Sequence, residues 1–271
     1  YESWFPSISV SNSNVHVVWE DYRNGIGTIY YKRSTDVGTS WGQDYRLTIN
    51  YVMRKHPSVA ASGNFVYVVW EEEKNNSFKI YYKRSTNNGE TWGANIQLSD
   101  SNSHSSHSSI VVSDSIVNVV WYDERDGNYE IYYKRSTDRG ISWGADTRLT
   151  NNTAKSWYPS ITVNGSTLHL VFNDERDGNS EIYYKCSTNG GLNWGADIRL
   201  TNDTAYSKLP SVAALGSFVN IVWYEERDGN YEIYYKFSSD SGITWGEDLR
   251  LTNNSAYSYY PFITLSNFQV H

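Results

Sequence analysis

Cysteine is almost absent from this chain of 271 residues. The single Cys186 excludes an internal disulfide. It stands where other copies of the same segment hold Arg33, Arg84, Arg135 and Phe237, which marks it as drift. Long apolar runs are missing as well: none approaches the ~18 residues of a membrane-spanning helix. Basic charge is not in excess. Lys+Arg number 23 against 30 Asp+Glu, a net charge of −7. The chain therefore lacks the electrostatic footprint of a nucleic-acid binder or of a protein drawn to anionic membranes. No stretch carries the 3.6-residue apolar period of a helix. No leader segment is visible, and the chain opens in mid-pattern, as a mature or trimmed product would.

Aromatic residues, by contrast, reach 16%, with 24 Tyr and 11 Trp. They are organised by a repeat. The nonapeptide Ser136-Thr137-Asp138-Arg139-Gly140-Ile141-Ser142-Trp143-Gly144 has counterparts starting at Ser34, Ser85, Ser187 and Ser238, so each step is 51 residues without insertion or deletion. A fixed period of this size marks a solenoid, propeller or array. Each unit opens on a short alternating strand such as Pro6–Val10, with Pro suited to the strand's first residue. A second β-branched and aromatic strand follows, Val15–Trp19 and its copies. A polar hairpin turn comes next, Asp123-Glu124-Arg125-Asp126-Gly127-Asn128, and then a third strand, Glu130–Ser136. The nonapeptide turns the chain into a short fourth strand, Asp146–Thr150.

Four antiparallel strands in about 50 residues describe one blade of a β-propeller. The fold expected is all-β, a single propeller domain over 1–271, with blades at about 6–48, 57–99, 108–150, 159–201 and 210–252. A partial sixth unit, 261–271, stops inside its second strand. Closure at five or at six blades stays open on sequence alone. Either way an unpaired β edge is expected, and an open edge invites strand addition from another chain.

The repeated turn has a physical logic. Asp36, Asn87, Asp138, Asn189 and Asp240 can accept backbone N–H groups within a tight turn. Gly38 and its copies can adopt positive φ. Trp41, Trp92, Trp143, Trp194 and Trp245 can fold back to bury a large apolar area against the blade. This reads as a structural clamp. The nonapeptide resembles the Asp-box, or bacterial neuraminidase repeat, Ser/Thr-x-Asp-x-Gly-x-Thr-Trp, found in sialidases and other Asp-box propellers. All five units carry the likeness. It implies a sialidase-like propeller, with the box between strands three and four and away from the sialidase active site. For a sialidase it would further imply an arginine triad, a Tyr/Glu nucleophile pair and an acid/base Asp. The family's N-terminal Phe/Tyr-Arg-Ile-Pro motif has no match, because Trp4-Phe5-Pro6-Ser7 lacks the arginine.

Catalysis needs a few different groups converging on one bond, and glycosidases need two carboxylates with separate roles. Near-identical loops without insertions argue against a single active site. What the loops do repeat is charge and aromatics. The turn after strand two carries Arg23, Arg125, Arg176 and Arg227 beside Asp21, Asp123, Asp174 and Glu225. The segment between blades carries Trp4 and Trp157, followed by Phe5, His56, His107 and Tyr158. Aromatic faces stack on sugar rings and Arg/Asp pairs hold hydroxyls. The expected function is thus a non-catalytic, extracellular glycan-binding module using Arg23, Arg125, Arg176, Arg227, Trp4 and Trp157. Two alternatives accompany it: a self-assembling structural protein exchanging the surplus strand Pro261–Leu265, and a sialidase-like glycoside hydrolase.

No cofactor is expected. The oxygen-rich turn suits Ca²⁺, but an Arg stands in its middle and its spacing is not that of an EF-hand. His104 and His107, three apart in the serine-rich segment Ser101–Ser109, have no third zinc ligand nearby in sequence. Five Asn-x-Ser/Thr sequons, at Asn75, Asn151, Asn164, Asn202 and Asn253, accord with an extracytoplasmic setting.

Overall fold

The structure is a computed structural model that describes residues 2–100, 102–266 and 269–271. Ser101 of the serine-rich segment, and Asn267 and Phe268 of the partial sixth unit, lie outside the described residues. Among the described residues every regular element is a strand. No helix is long and apolar enough to cross a membrane.

The repeats become five four-stranded sheets with strands in sequential order. The first holds β1 (Ser3–Ser11), β2 (Asn14–Asp21), β3 (Thr28–Ser34) and β4 (Tyr45–Arg46). The second holds β5 (Arg54–Ser62), β6 (Phe65–Lys74), β7 (Ser77–Ser85) and β8 (Ile96–Gln97). β9 (Ser105–Ser113), β10 (Ile116–Asp123), β11 (Glu130–Ser136) and β12 (Thr147–Arg148) follow. Next come β13 (Ser156–Asn164), β14 (Thr167–Asp174), β15 (Glu181–Ser187) and β16 (Ile198–Arg199), then β17 (Ser207–Leu215), β18 (Phe218–Glu225), β19 (Glu232–Ser238) and β20 (Leu249–Arg250). The chain divides into two compact units, Tyr1–Gly127 with Tyr132–Thr147, and Asn128–Ile131 with Arg148–His271.

In the four sheets that carry the proline the first strand begins three residues before it, and in the third sheet, where Ser108 takes its place, the strand begins at the same register. Its register slips once, between Trp4 and Ser7 on β1 and between Lys55 and Ser58 on β5. The residue inside the slip has left-handed backbone: φ is 49° at Phe5, 47° at His56, 51° at His107, 50° at Tyr158 and 49° at Leu209. Proline is therefore not the strand's opening residue. It follows a β-bulge, where its missing N–H breaks no ladder bond. Trp4, Phe5, Trp157 and Tyr158, expected in loops between blades, are strand residues aimed by this bulge.

The second strands β6, β10, β14 and β18 are buried on both faces, whereas β2 leaves Val17 and Trp19 half-buried. In the first unit, Val66, Val68 and Trp70 of β6 pack with Val18, Ile29, Tyr31 and Leu47 of the first sheet. The alternate residues Tyr67 and Val69 join Val117, Val119 and Trp121 of β10. In the second unit, Val219, Ile221 and Trp223 pack with Val171, Ile182, Tyr184 and Leu200. That double burial is why these strands read as unbroken apolar runs rather than alternating ones. The surplus strand is not free. Ile263 is buried with Ala213 and Val222, and Leu265 and Ser266 (β21) pair with Val270 and Gln269 (β22).

The nonapeptide turn sits between the third and fourth strands. Asp36 accepts the Ser34 hydroxyl (2.6 Å) and the Ser40 N–H (2.8 Å) on Oδ1, and the Ser40 hydroxyl (2.5 Å) on Oδ2. Asp138 and Asp240 repeat the pattern, and Asn87 and Asn189 accept the corresponding amide. The tryptophan, however, does not fold onto its own sheet alone. Trp92 stands edge-on to Tyr31 of the preceding sheet at 5.0 Å, Trp143 to Tyr82 at 5.0 Å, and Trp245 to Tyr184 at 5.0 Å. The glycine makes room for the same tyrosine: a Cβ on Gly89 would lie 1.9 Å from the Tyr31 hydroxyl oxygen.

Two tests follow from this packing. Gly38 and Gly89 share positive φ (88° and 80°), but a Cβ on Gly38 meets only Trp41, at 4.0 Å. Both alanine variants pay the backbone term; only Gly89→Ala adds overpacking of about 1–3 kcal/mol. Its melting temperature should fall roughly 5 °C further than that of Gly38→Ala. Equal shifts would refute the tyrosine contact as the glycine's reason. The second test concerns His16 and His169, buried 2.8 and 2.7 Å from the hydroxyls of Tyr31 and Tyr184. Burial lowers both to about 4, helped at His16 by the Arg33 charge. The unfolded chain takes up protons near pH 6.5 that the folded chain refuses. Stability is thus fully present above pH 6.5 and declines as pH falls toward 4, by an amount on the order of 3 kcal/mol per histidine. Asn118 and Asn220 occupy the same register and bond the equivalent tyrosines. The double variant His16→Asn, His169→Asn should flatten the decline in melting temperature between pH 6.5 and 4.5; an unchanged slope would assign it to other groups.

Candidate functional site

The four arginines singled out from sequence are engaged within their own sheets. Arg23 grips Asp21 with Nε and Nη2 (2.9 and 2.7 Å) and Asp44 with Nη1 (2.8 Å), and its guanidinium lies 4.4 Å over the Tyr30 ring. Arg125 does the same with Asp123, Asp146 and Tyr132. Arg176 pairs with Asp174 and Asp197, and Arg227 with Glu225 and Asp248. The carboxylates that sequence offered to Ca²⁺ thus face guanidinium groups. Trp4 and Arg23 come together, lining an open depression of about 430 Å³ with Trp19, Lys32 and Asp44. Trp157 stands in the second unit against Tyr129 and Tyr158, with the Lys155 ammonium over it at 5.6 Å.

A different group of residues is brought together where the repeat is broken. The residue after the strand-two tryptophan or phenylalanine is Tyr122, Asn173 or Tyr224 in three repeats, but Glu20 and Glu71 in the first two. The bulge residue is Phe5, Tyr158 or Leu209 in three repeats, but His56 and His107 in the second and third. The bulge aims both histidines at Glu71. Its Oε1 accepts the His107 amide N–H at 2.7 Å and lies 2.7 Å from His56 Nδ1 and 3.5 Å from His107 Nδ1. The two imidazoles sit 4.2 Å apart. Phe5 meets His56 edge-on at 4.3 Å, and His107 stacks on Tyr122 at 5.4 Å. The Ser106 hydroxyl is 3.0 Å from His107 Nδ1. Glu71 is only 2% exposed, whereas His56 and His107 are 20% and 27% exposed. Buried carboxylate below, half-open imidazoles above: the cluster can be reached from solvent.

Glu20 links into this group from the neighbouring sheet. Its Oε2 lies 3.4 Å from the His56 amide N–H, and its carboxylate receives the Tyr22 hydroxyl. One histidine therefore touches two buried glutamates. Arg54, buried in place of a serine in the other sheets, binds Glu72 at 2.7 Å while Lys74 replaces the usual turn arginine. The second sheet is the most altered copy.

Electrostatics separates the groups. Burial pushes the Glu71 carboxyl up, but His56, the charges of the two histidines and the His107 amide outweigh it and hold it down at about 2. Burial lowers His107 to about 4 against the pull of Glu71. Near neutral pH the cluster is an ionised carboxylate beside a neutral His107, the carboxylate accepting the His107 amide N–H and lying 2.7 Å from His56 Nδ1. Burial, then the hydrogen bond to Glu20, raises the Tyr22 phenol to about 12. His104, paired with His107 in the sequence reading, stays outside the cluster: its Nδ1 faces the Phe78 N–H at 3.4 Å. The partners of His107 lie 51 and 36 residues away, so local spacing could not reveal them. Stacking the repeats by register would have, since both histidines occupy one column and both glutamates another.

The family model for BNR repeat-like domains matches residues 10–271. No curated protein matches the sequence. Among solved structures, a GH93 alpha-L-arabinofuranosidase of Fusarium graminearum in complex with arabinobiose superposes with a TM-score of 0.63 at 16% identity, over 98% of this chain and 85% of that one. The catalytic domain of a GH62 alpha-L-arabinofuranosidase from Coprinopsis cinerea gives 0.54 at 14%, over 94% and 92%. Trypanosoma rangeli sialidase in complex with 2,3-difluorosialic acid gives 0.65 at 13%, over 99% of this chain but 50% of that one. This chain thus spans about half the length of the sialidase. All three are glycoside hydrolases, which overturns the expectation of a non-catalytic binding module. That expectation weighed loop lengths, whereas the repeat is broken by side chains within strands. The nonapeptide turns, the four-stranded antiparallel sheets and the match over nearly the whole sequence agree: the chain belongs to the BNR repeat-like family, with the blades of a sialidase-like β-propeller.

Proposed function

We propose that the protein is a glycoside hydrolase whose site is the group Tyr22, Glu20, His56 and Glu71. The observation that carries the reading is that His56 joins two buried glutamates of adjacent sheets, one holding a tyrosine hydroxyl and the other an imidazole. In this reading the Tyr22 oxygen attacks the anomeric carbon as its proton passes to Glu20. The glycosidic bond breaks as His56 gives its Nε2 proton to the leaving oxygen. Water then attacks the anomeric carbon, His56 takes up its proton, and the Tyr22 oxygen recovers its own from Glu20. Glu71 orients His56 through Nδ1 and balances the charge the ring carries. Phe5 and Trp4, half-exposed beside the bulge, offer faces for a sugar ring.

The ligand proposed is a neutral glycan. Arg23 and Arg54, the arginines nearest the group in sequence, are each held by a carboxylate, so neither is left to receive an acidic sugar. The arabinose-acting enzymes among the similar structures support this reading over sialic acid, and the sequons support an extracellular setting. A panel of 4-nitrophenyl glycosides, including the alpha-L-arabinofuranoside, together with a fluorogenic sialoside, tests it. A neutral glycoside should be hydrolysed, and Tyr22→Phe and Glu71→Gln should each lower kcat by about 10²–10³ while the melting curve stays cooperative. No turnover of any glycoside, or a fully active Tyr22→Phe, would sink the proposal. Preference for the sialoside would overturn the neutral-sugar part.

A further inference from the structure

We infer that His56, Glu71 and His107 form a binding site for a divalent transition-metal ion of the zinc class. An ion here would take the His56 Nδ1 lone pair and the Glu71 carboxylate, the contact by which the glycosidase reading orients His56, so metal-bound and hydrolytic states are alternatives, and the test below reads binding alone. Each of the three residues offers a ligand atom within 4.8 Å of the other two, and the nitrogens that face Glu71 Oε1 are His56 Nδ1 and His107 Nδ1. A tetrahedral ion with ligands at about 2.0–2.1 Å needs donors roughly 3.3 Å apart. The His107 contact, at 3.5 Å, already has that spacing, and the His56 contact, at 2.7 Å, must open by a few tenths of an ångström. The donor set is two imidazoles and one carboxylate, which suits zinc, iron, cobalt or nickel and leaves positions open for water. Calcium asks for six to eight oxygens and is not served here.

The surroundings are those of a held site. Glu71 is fixed by the His107 amide at 2.7 Å, so the carboxylate and one imidazole are tied to each other by backbone. Stacking on Tyr122 and the edge of Phe5 restrict the two rings. The left-handed bulge is common to the repeats, so the scaffold supplies the aim and only the side chains are particular to this place. The Ser106 hydroxyl beside His107 Nδ1 can rotate its hydrogen away and leave the lone pair to an ion. The buried carboxylate also gains: a cation between the rings would neutralise it more fully than a half-exposed imidazole does.

The experiment is a titration of the chelator-treated full chain with Zn²⁺ by calorimetry and with Co²⁺ by visible absorption. One ion should bind per chain with a dissociation constant in the micromolar range or tighter, and Co²⁺ should show the intense bands of a low-coordinate site. The variants come from the protein's own repeats: His56→Phe places the residue found at Phe5, and His107→Tyr the residue found at Tyr158. Each should weaken Zn²⁺ binding at least 100-fold; because each also removes a partner of buried Glu71, the metal-free melting temperature falls by several degrees while the transition stays cooperative. His104→Ala should bind as the parent does. Absence of saturable 1:1 binding, or binding that survives both His56→Phe and His107→Tyr, would overturn the inference. Because no activity is measured, a failed titration leaves the hydrolase reading untouched, and an inactive enzyme leaves the metal site untouched.

Discussion

The sheets of this protein pack face to face on sheets of the same kind, and the second buries both of its faces, one against the first sheet and one against the third. That constraint governs everything else. It makes strand two apolar on both sides, Val66, Val68 and Trp70 facing one way and Tyr67 and Val69 the other. It also explains the nonapeptide. A turn that only reversed the chain would need its Asp and its Gly. The tryptophan and the lack of a Cβ at Gly89 serve a neighbour, Tyr31, whose ring is held by Trp92 and whose hydroxyl reaches the Asn88 carbonyl at 3.3 Å. The box is as much a contact between sheets as a turn within one, which is why its spacing tolerates no insertion.

Much of the scaffold was legible from the period of 51 residues. Strand count, strand order and the place of the box follow from alternation, turn residues and repetition, all of which are local signals. The bulge was not legible, because a non-glycine residue in left-handed backbone has no composition mark: Phe, His, Tyr and Leu all occupy it. Proline was read as a strand start when it marks the residue after the slip. The tyrosine partners of Trp92, Trp143 and Trp245 were hidden for a related reason, since each lies about 60 residues back, beyond any local pattern.

The candidate site shows the opposite weakness. Arg23, Arg125, Arg176 and Arg227 drew attention because they recur, and recurrence is what a scaffold demands. Each sits between two carboxylates and a tyrosine ring, the same pairing in repeat after repeat. Glu20, His56, Glu71 and His107 do not recur throughout; a linear reading set the two histidines among the aromatics between blades and passed over the two glutamates. Their meaning is visible only when the columns of the repeat are compared in space. Cys186, half-buried with no sulfur partner, shows that a departure alone means little; what distinguishes the other four is that they depart together and meet.

That convergence has an energetic side. Tyr122, Asn173 and Tyr224 fill the column of Glu20 and Glu71 without a charge to desolvate, so folding does not require carboxylates there. Burying one costs several kcal/mol unless partners return it. Glu71 has its partners, the His56 ring and the His107 amide, and both come from bulge positions that other repeats fill with Phe, Tyr or Leu. Two unfavourable choices in different strands thus compensate each other. Neutral exchange of that kind is improbable one residue at a time, because a buried glutamate without its histidines is destabilising. Selection for something done by the group as a whole accounts for it more simply than selection for the fold, which three other repeats achieve without it.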